Sequence, residues 1–366
     1  MKQVSYIISF LAVILSLPLN GYADGKFRFG VSAPLTGILA EYGAAISNGL
    51  MLAKEDRKGE YDNIDLILED SQWDPKIAVS VFNSLHRVRR AQLVYSWGNP
   101  PNDAIAPVAE SLQVPTLAMS SNHEITRDRR FIIRTIPSGE ELGILLSEYL
   151  SRAGKKKYGI ALAEVSYLQG LYAGFKADSE KRGSTVDLIG TFDPTAQDFR
   201  STISAAKRRS YDTLGVFLIT GQVQSFYRQL HDQKISLPTF GADFHGSETE
   251  IIASGRAIDG AVFPDLKVAP EFRARYKAKF GNDIQVSFAA NAYDVASLVA
   301  DLFGKRDSST LTNAEVLTAL IGAQPVKGAH SHFAYVGSDA YGPAFKTPIV
   351  IRRIEGREIV DQPVVP

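Results

Sequence analysis

Two short polar segments and one acidic residue carry most of the chemistry legible in this chain. Asn99-Pro100-Pro101-Asn102 stands before a predicted helix, and Ser120-Ser121-Asn122 follows a predicted strand. A carboxylate taken out of water must accept several hydrogen bonds, and hydroxyl, amide and helix N-terminal donors at such places supply them. Asp243 follows the apolar run Pro238 to Ala242 and lies in the turn Gly241-Ala242-Asp243-Phe244-His245-Gly246. A carboxylate there can pair with a ligand ammonium, or it can be an ordinary helix N-cap that needs no ligand. Tyr42, Tyr167 and Trp97 add aromatic surface. The tyrosines read as pocket walls or as rim residues, and Trp97, beside Gly98, as pocket wall or core.

Catalytic patterns are missing. The chain has no G-x-G-x-x-G dinucleotide loop, no G-x-x-x-x-G-K-[ST] phosphate loop and no G-x-S-x-G nucleophile elbow. His330 and His332 would share one face of a predicted strand, yet no third metal ligand accompanies them. His123 and His245 fall on predicted loops without a nucleophile to activate, so both read as rim residues. The expectation is a binding protein without metal or cofactor, with an exported hydrolase as the distant alternative.

The elements that must position these residues repeat one plan. Phe29-Gly30-Val31-Ser32 reads as a strand, followed by a loop with Tyr42 and a helix from about Gly43. Tyr158-Gly159-Ile160-Ala161-Leu162 is a second strand, with Tyr167 in its loop and a helix from about Gly170. Ligands of open parallel sheets bind at the carboxyl ends of strands, so two such sheets facing each other would set Tyr42 and Tyr167 on opposite walls of a cleft. Short apolar runs alternate with amphipathic stretches as far as residue 264, the pattern of parallel βαβ units. Predicted helices follow at 269–280, 286–303 and 312–321, then strand-like pieces at 332–336, 347–353 and 357–360. Asp74-Pro75 opens one helix and Ser138-Gly139-Glu140-Glu141 another, the latter as a capping box.

Composition sets the compartment and the partners. Lys2, the apolar run Ile7 to Leu17 and Gly21-Tyr22-Ala23 read as a secretory leader cleaved after residue 23. The remaining chain suffices for about two domains. With no cysteine it has no disulfide and no lipidated cysteine, which suits a periplasmic protein held by a large core. Forty basic and forty acidic side chains cancel, so neither nucleic acid nor an anionic membrane is indicated as a partner. No low-complexity linker divides the chain, as expected of two lobes between which the backbone crosses repeatedly.

Several ordered segments together resemble the leucine/isoleucine/valine-binding family, the type I periplasmic binding proteins of ABC transporters. They are Phe29 to Gly37, then Glu69 to Pro75 with Ala78-Val79, Val114-Pro115-Thr116 before Ser120-Ser121-Asn122, and Ala289 to Asp294. The resemblance implies an α/β fold of two Rossmann-like, doubly wound lobes joined by three crossings. We place lobe 1 at 24–136 plus 256–328, and lobe 2 at 137–255 plus 329–366. It implies a monomer that closes on an amino acid or related small molecule and docks on a membrane permease, or that reports ligand occupancy to a receptor. Residue by residue, Tyr42 falls at an aromatic wall and Asn99 near a hydroxyl contact to the ligand carboxylate. Ser120, Ser121 and Asn122 fall at the loop that binds both ends of the amino-acid moiety. Tyr167 corresponds to the lid aromatic, Thr220 or Gly221 to a second-lobe wall, and Asp243 to the ammonium-binding acid. Two departures bear on the ligand: the cysteine pair of some relatives is absent, and Trp97-Gly98-Asn99-Pro100-Pro101 is not the branched-chain amino-acid form of its loop.

Overall fold

The computed structural model describes residues 25–305 and 307–363. The expected leader lies outside them. The first lobe starts with β1 (Phe27–Ala33), α1 (Ala40–Asp56), the short α2 (Lys58–Tyr61), β2 (Ile64–Asp70), α3 (Pro75–Asn83), β3 (Leu93–Trp97), α4 (Asn99–Ser111), β4 (Thr116–Met119) and β5 (Ile132–Arg134). The second runs α5 (Gly139–Arg152), β6 (Lys157–Ala163), α6 (Ser166–Lys181), β7 (Thr185–Phe192), α7 (Arg200–Lys207), β8 (Thr213–Phe217), α8 (Gln222–Asp232), β9 (Thr239–Gly241), α9 (Glu248–Ser254) and β10 (Val262–Leu266). The chain returns to the first lobe for α10 (Pro270–Phe280), α11 (Val286–Phe303), α12 (Asn313–Ile321), β11 (Ala334–Asp339) and β12 (Gly342–Lys346). It ends in the second with β13 (Ile349–Glu355) and β14 (Glu358–Asp361).

Each lobe is built on a seven-stranded sheet, ordered β11-β12-β5-β4-β3-β1-β2 in one and β14-β13-β10-β9-β8-β6-β7 in the other. Strand order reverses beside β1 in the first sheet and beside β6 in the second, which opens a crevice at the carboxyl ends of β1 and β3, and of β6 and β8. The strands at these points are buried on both faces, as continuous apolar runs in a helix-covered parallel sheet must be.

The expected lobe divisions at 256 and 329 need correction. β10 pairs with β9 and β13 in the second sheet, so the chain cannot leave that lobe until β10 is complete. β11 and β12 form a hairpin on the edge of β5 in the first sheet. The three crossings therefore fall at 135–138, 267–269 and 347–348. The Asp74 carboxylate caps α3, accepting from the Lys76 and Ile77 amides at 2.7 and 2.9 Å. Ser138 and Glu141 close a capping box at the first crossing.

Glycines let the helices of each lobe meet backbone to backbone. A Cβ on Gly49 of α1 would stand 2.0 Å from the Ala289 carbonyl oxygen of α11. In the second lobe, Cβ atoms on Gly143 of α5 and Gly174 of α6 would stand 2.2 Å from the carbonyl oxygens of Leu171 and Glu140. In these pairs α1 also packs on β1 and α6 on β6, the strands whose carboxyl ends border the cleft.

Candidate functional site

A cavity of about 100 Å³ lies between the lobes, bounded by the carboxyl ends of the strands at both crevices. That is the scale of a small ring or a branched aliphatic group, since an apolar cavity of about 150 Å³ holds benzene. The first lobe walls it with a packed aromatic group. Tyr42 meets Trp97 and Phe288 at centroid distances of 5.0 Å each, and Trp97 and Phe288 are 6.0 Å apart. Trp73 completes this wall. It stands in a turn where Gln72 and Trp73 both take left-handed backbone, φ 51° and 57°. Gly98, at φ 95°, lies under the Trp73 indole, where a Cβ would come within 3.0 Å of the ring. The second lobe presents Tyr167 and Phe244, 5.9 Å apart, with Val165 and Ile219.

Tyr42 and Tyr167 do face one cavity, but neither stands in a loop. Tyr42 is in the first turn of α1 and Tyr167 in the first turn of α6. Both helices begin three to four residues earlier than the expected starts at Gly43 and Gly170, because tertiary burial of the tyrosines extends the helices over weak caps. Trp97 meets both of its readings: it is packed in the first-lobe core and also lines the cavity.

The serine loop and Asn99 form a closed polar unit. Asn99 Oδ1 accepts from Ser120 Oγ at 2.9 Å, from the Ser121 amide at 3.0 Å and from Ser121 Oγ at 3.3 Å. Asn99 Nδ2 donates to Ser121 Oγ at 3.1 Å. Because the Ser121 amide can only donate, it fixes which end of the carboxamide is oxygen. Asn99 and Ser121 line the cavity, whereas Ser120 is wholly buried behind them. Asn122 turns away: its Nδ2 donates to Asp103 at 2.8 Å and its Oδ1 caps the turn at Glu124.

At the second-lobe end, Asp243 is partly buried and enters the cavity beside Tyr167. Burial, with the neighbouring Asp265 carboxylate adding to it, raises its carboxyl to about 7. Burial also raises the Tyr42 and Tyr167 hydroxyls well above the usual phenol range, and the Asp243 charge acts in the same direction on both. Four enclosed oxygens, Tyr42 Oη, Tyr167 Oη, Thr220 Oγ1 and Asp243 Oδ1, make no well-formed hydrogen bond, though Tyr42 interacts with Thr220 and Tyr167 with Asp243; Thr220 itself does not line the cavity. Asp243 is not an N-cap, since its side chain caps no helix. Gly221 does not reach the cavity; its amide donates to Glu250 Oε1 at 2.5 Å, at the start of α8. Asp265, which also lines the cavity, is held by Arg352 Nη1 at 2.6 Å.

The histidines stand elsewhere. His245 is fully buried rather than at a rim, with Nε2 3.1 Å from the Tyr227 hydroxyl, and burial lowers it to about 4. His330 lies in a turn rather than a strand and pairs with buried Asp294 at 2.8 Å. Among the described residues no group of three or more His, Cys, Asp or Glu side chains is arranged to hold a metal.

The sequence reading missed Trp73, Phe244, Phe288 and Asp265 as cavity residues. Trp73 lay in a recognised segment, but its role depends on a left-handed turn that residue type does not announce. Phe288 is brought in by α11, far along the chain, and carried no local signal.

A profile of the family described as periplasmic binding protein matches residues 26–349. The chain is 26% identical to the Leu/Ile/Val-binding protein BraC3 of Rhizobium johnstonii, over 88% of this chain and 91% of that protein. It is 24% identical to Leu/Ile/Val-binding protein homolog 3 of Brucella melitensis, over 91% and 93%. Its fold is similar to the crystal structure of the leucine-binding protein LivK from Thermotoga maritima, with a TM-score of 0.81 and 20% identity over 92% of this chain and 98% of that one. It is also similar to a solute-binding protein from R. palustris in complex with benzoate, with a TM-score of 0.76 and 18% identity over 92% and 95%.

Proposed function

Because the chain belongs to the periplasmic binding protein family, we propose that it is the solute-binding subunit of an ABC importer. In this reading it holds a small amino acid, or a related carboxylate or amide, in the interlobe cavity and presents it to a membrane permease. It works as a monomer in the periplasm after loss of residues 1–23.

One observation carries the reading. Polar groups from both lobes, Tyr42 Oη of the first and Tyr167 Oη and Asp243 Oδ1 of the second, meet in an aromatic-walled cavity where none makes a well-formed hydrogen bond, although Tyr42 interacts with Thr220 and Tyr167 with Asp243. An enclosed polar atom left without a bond costs at most roughly 1–3 kcal/mol, and a ligand with matching polar groups improves on these loose pairings only when both lobes are in place. Ligand recognition and lobe closure are thereby one event, which is what a carrier needs if a permease is to distinguish loaded from empty protein.

A thermal-shift screen over amino acids, aromatic acids, amides and urea tests the reading. A solute present at one hundred times its Kd adds about 2.7 kcal/mol to apparent stability. Stabilisation by at least one solute, recovered unchanged afterwards, is the expected result. Turnover of that solute would replace the carrier with an enzyme. Export is checked separately by mass spectrometry of periplasmic extract, with Asp24 or a near neighbour expected at the N-terminus.

A further inference from the structure

The serine-loop donors that a ligand carboxylate would need in the first lobe are already consumed by the protein. Three consecutive amides of the serine loop are bonded internally: Ser120 to the Ala118 carbonyl at 2.8 Å, Ser121 to Asn99 Oδ1 at 3.0 Å and Asn122 to Ser120 Oγ at 3.2 Å. The Ser120 and Ser121 hydroxyls converge on that same Asn99 oxygen. The Asn99 carboxamide thus sits where these donors point, doing internally what a bound carboxylate would do.

The neighbouring helix adds little. The amino end of α4 has Pro100 and Pro101 in its first turn, and proline has no amide hydrogen. The Gly98 amide is bonded to the Met119 carbonyl at 3.1 Å, and the Asn102 amide to the Gly98 carbonyl at 3.0 Å. This helix end therefore keeps only the Asn99 amide of the four orphan donors a helix start normally presents. Among the described residues no lysine, arginine or histidine lines the cavity. The other helix start there, that of α6 at Ser166, stands in a cavity whose charged lining is Asp243 and Asp265, and Asp243 would repel a second anion.

The charge at the other end asks for donors: the Asp243 carboxylate lines the cavity and accepts when ionised, with no well-formed bond to its Oδ1 and only the Tyr167 hydroxyl acting on it as a side-chain donor from the cavity wall. Between these ends are apolar and aromatic walls. We propose that the ligand is a small apolar or aromatic compound carrying an N–H donor group, an amine or a primary amide, and no carboxylate. This rests on the solute-binding reading and narrows it.

Two matched sets test it by calorimetric titration of the whole mature protein: leucine, leucinamide and isopentylamine; and benzoate, benzamide and benzylamine. In at least one set the carboxylate-free members should bind at least tenfold more tightly than the acid. Tighter binding of leucine or benzoate than of its amide and amine overturns the inference and leaves the solute-binding reading standing. Binding by none of the six at millimolar concentration also overturns it, and the wider thermal-shift screen then decides separately whether the cleft takes solutes. Asn99→Ser, which withdraws the carboxamide and releases the serine-loop donors, should raise affinity for the acid of the responding set at least tenfold. No gain in the folded variant counts against the account of Asn99, and the wild-type series stands should the variant not fold.

Discussion

At the residue scale the proposed recognition and its pH response both turn on Asp243, which lines the cavity. Tyr167 from α6, Tyr42 from α1 and Asp265 from β10 are the titratable groups that act with it, and burial keeps both tyrosines protonated throughout the neutral range. Its folded-state carboxyl, raised to about 7, exceeds the ordinary value of 3.8. The sign follows from linkage: relative to the unfolded chain, the empty protein is favoured at low pH and loses that advantage as pH rises toward and through 7. Asp243→Asn should therefore melt higher than wild type when empty at pH 8, by on the order of 1–3 kcal/mol, with the gap closing toward pH 4. Binding runs the other way. An alkylammonium probe stays charged over this window and needs the ionised carboxylate, so isopentylamine or benzylamine affinity should rise from pH 5.5 to pH 8. Truncating one partner of such a desolvated pair costs about 2–5 kcal/mol, so Asp243→Asn should weaken an amine ligand by roughly thirty-fold or more. Flat calorimetric affinity across that pH range would remove Asp243 from ligand contact. Asp243 was legible because an acid directly after an apolar strand, in a Gly-rich turn, is a local pattern; the saturation of Ser121 by Asn99 was not, since it joins two loops 22 residues apart.

At the element scale the positions of the site residues depend on close approaches that only glycine permits. Gly174→Ala would drive a Cβ to 2.2 Å from the Glu140 carbonyl and force α5 and α6 apart. We expect a loss of at least about 2 kcal/mol in denaturant unfolding, with Tyr167 displaced from the cavity. Gly98→Ala meets two penalties together: a left-handed backbone at φ 95° and contact with the Trp73 ring at 3.0 Å. It should cost on the order of 1–3 kcal/mol and shift Trp73 emission even without ligand. Strands and caps were readable ahead of the structure because their signals are local. Asp74-Pro75 and Ser138 to Glu141 cap helices as expected, and β1 and β6 lie where their apolar runs place them. The helix starts expected at Gly43 and Gly170 fall later than those observed at Ala40 and Ser166, since neither helix has a side-chain cap to mark it and tertiary packing decides the boundary.

At the scale of the whole molecule, the proposed closure rests on three short crossings and an aromatic-walled cavity between the lobes. With ligand confirmed, small-angle scattering should show a smaller radius of gyration than in the empty protein, and an unchanged profile would remove hinge closure from the mechanism. The two-lobe plan was legible from the repeated strand-and-helix pattern. The crossings were not, because β10 and the β11-β12 hairpin join sheets by long-range pairing that no local residue pattern reveals. If a small solute binds between these walls, the chain supplies its own probe of it. Its only two tryptophans, Trp73 and Trp97, both line the cavity. A fluorescence titration with each solute that raises the melting temperature should therefore give a saturable change in tryptophan emission, half-complete at the Kd found by calorimetry. A solute that stabilises the protein while leaving that emission unchanged would place binding elsewhere and contradict the account.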